Sequence, residues 1–296
     1  MGAPMAANLL AAGHQLRVHD EQQDASHDLV CDGAEWAASP AAAVAQADVV
    51  LTCLRGPADV QLVAQDLSQA MRAGSTWIDC TTSSPQLIRD LAPAFTQRGI
   101  GVLDAPVSGG PAGAAGRRLV FWVGGEAATF EHCKDVLACM ADETLHVGAL
   151  GCGLVTKLAH NCANFAVQAV LAEAFTLGVK AGVDPLVLFT ALRRGSLGRK
   201  SPVDRLAEQF LPGVYEPAAM TLALANKDLL LALSLARDEG VPLRLVEAAS
   251  KDFEEAMRRG WAGRDARIAL SLQEERSGVS VRVDAGELRH ALGGPS

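Results

Sequence analysis

The chain has 296 residues, of which 49% are hydrophobic and 20% charged, and its formal net charge is -8. That length and apolar content build one large or two medium domains, and the acidic balance excludes a general binder of nucleic acid or anionic membrane, which needs a basic face. The seven cysteines, at 31, 53, 80, 133, 139, 152 and 162, form no C-x-x-C pair and no Cys/His cluster with zinc spacing, so they read as reduced thiols of a cytoplasmic protein, and no metal is expected. No stretch reads as a transmembrane span, and the N-terminus lacks the basic-then-apolar order of a secretory leader.

Residues 1–13 read as a helix, with Pro4 in its first turn and Gly13 as its stop. Leu16–Asp20 follows as a short alternating strand, and after a variable segment Asp48–Cys53 reads as a buried strand. Asp59–Met71 is helical. Ser75–Cys80 is a strand, followed by a helix through Gln97, and Gly101–Val107 is a strand that runs into a glycine-rich loop. Leu119–Val123 and Thr144–Val147 are two more strands with a helix between them. Strands alternating with helices predict a Rossmann-like, doubly wound, mainly parallel sheet.

From about residue 149 no convincing strand follows. Helical runs are expected over 151–182, 185–194, 202–211, 217–239, 242–259 and near 264–274, with a polar tail that frays. The predicted organisation is an α/β dinucleotide-binding domain over 1–148, N-terminally incomplete, an all-helical substrate and dimerisation domain over 149–275, and a tail over 276–296. The helix from 151 joins the two domains. It is too long and too apolar for one small domain to cover, so a homodimer or homotetramer is expected.

Three features point to chemistry. Lys157 and Asn161 are four apart and share one face of the long helix, continued by Asn164 and Gln168, while Leu154, Leu158, Phe165 and Leu171 are assigned to packing. The unexceptional alternative is a helix-end lysine that snorkels to water. Gly151 and Gly153 allow a backbone or a ligand close approach. At the other end of the chain, a dinucleotide fingerprint G-x-G-x-x-G sits between a strand and the first helix. Here the chain opens at that helix, so Gly2 stands as the last glycine, and a start codon about one strand upstream is expected. Asp20 closes the next strand at the spacing of the acid that binds ribose hydroxyls. His19-Asp20-Glu21 favours NAD, because a carboxylate repels the extra phosphate of NADP. A turn former is the alternative for Asp20. Leu54 and Arg55 follow one strand and Thr82 another, at carboxyl ends where ligands bind.

Four stretches now line up: Met1 to His14, Asp104-Ala-Pro-Val-Ser108-Gly109-Gly110, Gly151-x-Gly-x-x-x-Lys157-Leu-Ala-His-Asn161, and Asn226-Lys227-Asp228-Leu229 followed by Gly240-Val-Pro-Leu243. In that order and spacing the chain resembles the β-hydroxyacid dehydrogenase family, which includes 3-hydroxyisobutyrate dehydrogenase and tartronate semialdehyde reductase. The resemblance covers nearly the whole sequence. It implies an NAD-dependent oxidoreductase, with NADP not excluded, acting on a short 3-hydroxy acid or its semialdehyde in the cleft between its domains. It implies Lys157 as general acid/base, Ser108, Gly109, Gly110 and Asn161 on a small carboxylate substrate, and Thr82 and Lys227 on the cofactor, beside Gly2, Asp20, Leu54 and Arg55, which their places in a dinucleotide-binding fold assign to it. An exposed Lys-Asp pair is the alternative for Lys227. The family usually carries Pro where Arg55 stands and Asn where His160 stands, and Arg117-Arg118 replace a small polar residue and its neighbour. Two rivals stand beside this reading. An imine reductase shares the architecture but usually lacks a lysine at this position. A non-catalytic module of the same shape has no chemical need for Ser108, Lys157, Asn161 and Lys227 together.

Overall fold

The computed structural model describes residues 1–292. The chain falls into two compact units, one over Met1–Ala163 and a second from Asn164 onward. The first unit runs α1 (Gly2–Ala11), β1 (Arg17–Val18), a 3-10 turn (Gln23–Ser26), α2 (His27–Cys31), β2 (Glu35–Trp36), α3 (Pro40–Val44), β3 (Val49–Thr52), α4 (Pro57–Ala70), β4 (Thr76–Asp79) and α5 (Pro85–Thr96). It continues with β5 (Gly101–Asp104), β6 (Val107–Ser108), α6 (Gly110–Ala115), β7 (Leu119–Gly125), α7 (Ala127–Ala138) and β8 (Ala141–Gly148), and then α8 (Cys152–Lys180) begins.

Local chemistry explains the starts. Proline occupies the first turn of α3, α4 and α5, where its missing N–H costs no hydrogen bond. Ser39 and Ser84 cap α3 and α5 by accepting from the amides of Ala42 and of Gln86 and Leu87. Along the central strands, alternation sends successive side chains to opposite faces. Ile78 and Leu103 join Met5, Leu9, Phe121 and Leu137 on one face, while Trp77 and Val102 join Leu67, Met71, Ile88 and Phe95 on the other. The Trp77 and Phe95 rings stack at 4.6 Å. The result is an α/β/α layering with β4 fully buried.

The sheet is mainly parallel, as expected, with one antiparallel seam. β3, β4 and β5 are parallel, but β7 runs antiparallel to β5 and β6 and parallel to β8. β5 and β6 line one edge of β7 in a single register, Leu103 opposite Gly125 and Val107 opposite Phe121, interrupted at Pro106. The six residues of α6 that lead from this edge to β7 are too few for a parallel crossover, which takes a dozen or more. β1 and β2 form a separate two-stranded parallel sheet. β2 lies in the segment read as variable, because two residues carry no periodicity.

The second unit is helical, as expected: the remainder of α8, then α9 (Pro185–Arg194), α10 (Ser196–Arg199), α11 (Pro202–Leu206), α12 (Leu222–Asp238), α13 (Arg244–Arg258), a 3-10 turn (Ala266–Leu270), α14 (Ser271–Ser277) and α15 (Ala285–Ala291). Two small clusters stabilise it, one around Leu222, Ala256, Ile268 and Leu272 and the other around Leu177, Ala236, Val241 and Leu243. The expected frayed tail contains α15, capped by the Asp284 carboxylate on the amides of Gly286 and Glu287. Its last four residues lie outside the described ones.

Two further expectations need correction. Leu158 and Phe165 are not packed within this chain: they are 43% and 62% exposed. And α8, 29 residues long, contains an 18-residue window with a mean hydropathy of 1.4, enough by length and composition alone to cross a bilayer, where no such stretch is expected.

Candidate active site

The first turn of α8 is built onto the carboxyl edge of the sheet. Asp104, at the end of β5 and fully buried, accepts the amide protons of Gly151 at 2.6 Å and Leu154 at 2.7 Å, so its carboxylate satisfies free donors at the helix N-terminus and meets the positive end of its dipole. Burial raises the Asp104 pKa, and those two amides and the Arg89 guanidinium oppose the rise. The glycines in Gly151-x-Gly153 serve this junction. A Cβ on Gly153 would lie 2.3 Å from the Trp122 carbonyl oxygen and 2.7 Å from that of Asp104. Gly151 has φ +90°, and a Cβ there would meet the Arg89 guanidinium. The close approach is backbone to backbone at Gly153 and backbone to the Arg89 side chain at Gly151.

One turn further, Lys157 is half-buried, with Nζ 5.9 Å from the centroid of the Trp122 ring. Burial lowers its pKa, and no neighbouring cation contributes to the shift. The other edge of Trp122 meets His160 at 5.0 Å between centroids, and His160 Nδ1 stands 3.2 Å from Oδ1 of the half-buried Asn161. Trp122 also ties this group to the strand that ends in Ser108, because its amide donates to the Pro106 carbonyl at 3.2 Å and Phe121 pairs with Val107. Sequence reasoning missed Trp122. It reads as one more apolar strand position, and only the fold puts Lys157 over its ring.

The glycines after Ser108 are demanded locally. Gly109 has φ +123° and Gly110 φ +62°, and a Cβ on Gly109 would sit 3.0 Å from the Arg118 carbonyl. Arg117, at φ 55°, donates to Asn8 Oδ1, and Asn8 Nδ2 donates to the Ala114 carbonyl, so Asn8 links α1 to α6 and Arg117, one of the two arginines that depart from the family pattern, holds the Asn8 amide.

On the cofactor side, the carboxyl ends of β3 and β4 are held by one buried acid. Asp79 Oδ1 accepts from Thr52 Oγ1 at 2.8 Å and from the Thr81 amide at 3.1 Å, and Thr81 Oγ1 in turn accepts from the Leu54 amide at 2.9 Å. The two loops carrying Leu54, Arg55 and Thr82 are thus joined through Asp79 and Thr81. Leu54 also packs into the core, while Arg55 and Thr82 are exposed. Gly2 opens α1 beside Cys53, and a Cβ on this glycine would lie 3.8 Å from Cys53 Cβ. Asp20 is exposed and accepts the Gln22 amide at 2.8 Å through Oδ1, the geometry of a turn former. Lys227 belongs to the second unit, on α12, where it pairs with Asp228 at 2.9 Å and both side chains are more than half exposed.

Asp79 Oδ2 is buried and has no partner among the described residues. Burial pushes the pKa up to about 6, against the lowering effect of the hydrogen bonds from Thr81 and Thr52 and with a smaller upward push from the charge of Asp104. A carboxyl raised in the folded state takes up its proton on folding between that value and the unfolded one, so its share of stability grows as pH falls from about 6 to about 4 and is absent above that window. The expected result for Asp79→Asn is a gain relative to the parent on the order of 2 kcal/mol at pH 7.5 that shrinks through this window. Urea unfolding of both proteins at pH 7.5, 6, 5 and 4 reads it, and a pH-independent difference would remove the assignment.

A parallel-strand carboxyl edge with an acid after β1, a helix opening at Gly2, and a desolvated lysine on the helix that leaves the sheet are the features of NAD(P)-dependent oxidoreductases. Comparison with known proteins agrees. Residues 1–148 match the NAD binding domain of 6-phosphogluconate dehydrogenase, and residues 151–272 match the NAD-binding domain of NADP-dependent 3-hydroxyisobutyrate dehydrogenase. The chain is 38% identical over 245 residues to 3-hydroxyisobutyrate dehydrogenase of Pseudomonas aeruginosa, covering 80% of this chain and 82% of the relative. It is 33% identical to the NAD-dependent L-serine dehydrogenase of the same organism, over 94% and 96% of the two chains. Among solved structures, Mycobacterium tuberculosis 3-hydroxyisobutyrate dehydrogenase with L-serine matches at 33% identity and TM-score 0.64, covering 92% and 95%. An imine reductase from Pseudomonas matches at TM-score 0.79 but 20% identity, a likeness of fold alone. The chain belongs to the β-hydroxyacid dehydrogenase family, whose cofactor is NAD or NADP.

Proposed function

We propose that this chain oxidises a short 3-hydroxy acid, or reduces the matching semialdehyde, with Lys157 as the group that moves the hydroxyl proton. The observation that carries the reading is Lys157 itself: half-buried, against an aromatic ring, one helical turn from Asn161, with a pKa that burial lowers toward the working range of a general acid/base. On oxidation the neutral amine takes the proton of the substrate hydroxyl; on reduction the ammonium gives it back to the carbonyl oxygen. Asn161 orients the same oxygen. Ser108 and the amides at Gly109 and Gly110 hold the substrate carboxylate.

The donor set after β1, β3 and β4 fits a dinucleotide. Gly2 offers a side-chain-free helix start, Asp20 a carboxylate, and Leu54, Arg55 and Thr82 lie on loops joined through Asp79. When bound, the nicotinamide supplies the hydride acceptor or donor. Lys227 is assigned to the cofactor on the family pattern of Asn226-Lys227-Asp228.

The test is a panel run with NAD and NADP: 3-hydroxyisobutyrate, L-serine and 2-(hydroxymethyl)glutarate, the substrates named for relatives, with a cyclic imine and NADPH as the rival arm. Turnover of at least one 3-hydroxy acid is expected. Turnover of the imine alone would overturn the reading. The same reading gives a second copy of the chain as the cover for the exposed apolar side chains of α8, α9 and α12, among them Phe165, Leu186 and Leu231, so sedimentation of the active enzyme should show a dimer or tetramer. The seven free thiols accord with a cytoplasmic location.

A further inference from the structure

We propose that Arg55, held between Glu21 and Asp59, sets this enzyme's choice of dinucleotide, and that the arginine is kept from the phosphate of NADP. The inference rests on the cofactor site proposed above. Taken from the sequence, an arginine in that loop speaks for NADP, since a guanidinium fork matches phosphate. The structure shows where the fork is committed. Arg55 Nε and Nη2 each stand 3.2 Å from a carboxylate oxygen of Asp59, one turn along at the start of α4, and Nη2 is also 3.2 Å from Glu21 Oε2. Glu21 follows Asp20 in the loop after β1, so the guanidinium reaches across to the ribose-binding acid's own loop.

The charges that face this point are Asp20 and Glu21 after β1, Asp59 on α4 and Arg55 after β3. Asp59, then Glu21 and Asp20, raise the Arg55 pKa. Three carboxylates against one guanidinium leave two formal negative charges where a ribose phosphate would bring about -1.5 to -2 more. Each ion pair is exposed and individually weak. The discrimination therefore comes from the charge count and from the occupied fork. Ribose hydroxyls meet no such penalty and bond to Asp20.

The experiment is titration of the full chain with NADH and with NADPH, followed by nucleotide fluorescence, at low and high salt. The parent is expected to bind NADH more tightly. In Glu21→Gln/Asp59→Asn the local charge is neutral and the fork is free. NADPH should then bind about tenfold tighter than it binds the parent, the value of one charge-assisted hydrogen bond, with NADH changed by less than about threefold. Adding Arg55→Ala to that pair should abolish the gain, and raising salt should shrink it. An unchanged NADPH-to-NADH ratio in the double variant, or a gain that survives loss of Arg55, would overturn the inference while leaving the cofactor site standing. Failure of the parent to bind either nucleotide would overturn both.

Discussion

Lys157→Ala is expected to lower kcat by about 10²- to 10⁴-fold, the usual worth of a positioned acid or base. NADH binding should stay close to the parent's, because the lysine lies with Trp122 and Asn161 and not with the loops after β1, β3 and β4. Lys157→Arg should not rescue it, since a guanidinium stays protonated at working pH and offers no neutral form to accept the hydroxyl proton. The pH profile gives the sign. Oxidation needs the neutral amine, so its rate should rise with pH through a pKa below the ordinary lysine value; reduction needs the ammonium and should fall through the same value. An alanine variant that turns over within about threefold of the parent would show that the proton moves elsewhere.

Gly153→Ala should be among the most damaging single methyls in the described residues. Its Cβ would stand 2.3 Å from the Trp122 carbonyl oxygen, 2.7 Å from the Asp104 carbonyl oxygen and 2.9 Å from the Asp104 carboxylate. These atoms belong to β5, β7 and a buried acid, none of which is a flexible side-chain end, so relief requires α8 to lift off the sheet and Asp104 to lose the Leu154 amide. A cost of about 3 kcal/mol, at the top of the ordinary overpacking range, is expected, with a fall in Tm of about 6–12 °C. Gly263→Ala, with nothing within 4 Å of the added carbon and no left-handed φ, is the control and should be nearly neutral. Thermal melts of the two variants side by side check the pair, and equal Tm values would mean that the α8 junction is looser than these distances.

Much of the fold is legible in the sequence because it rests on local signals: proline at helix starts, glycine at stops, and runs of Val, Ile and Leu of strand length. The alternation that sends Trp77 and Ile78 to opposite layers is of the same kind. α15 carries a signal too, Asp284 three residues before Glu287, an N-terminal capping pattern that the polar composition of the tail obscures. What is not legible depends on non-local pairing. Nothing in Leu119-Val-Phe-Trp-Val says that β7 runs antiparallel to β5, and two-residue strands such as β2 have no period to read. In the site, the Lys157/Asn161 spacing is visible on one helix, but its aromatic platform comes from a strand more than thirty residues earlier. Gly151 and Gly153 show the reverse case. The sequence marks them correctly as places of close approach, and the fold assigns that approach to the helix–sheet junction.

The division of the strands into a two-stranded and a six-stranded sheet has a consequence for amide exchange. β4 is bonded on both sides and buried along its length, so its amides open only with the whole unit. β1 and β2 hold each other through two residue pairs and have much less to break, so Arg17 to Ala37 should exchange with solvent first among the strands. Asp20 and Glu21 hang from that same segment. The segment proposed to discriminate between nucleotides is then the least protected among the strands, and a bound dinucleotide would register there as slowed deuterium uptake before it registers anywhere in the central sheet.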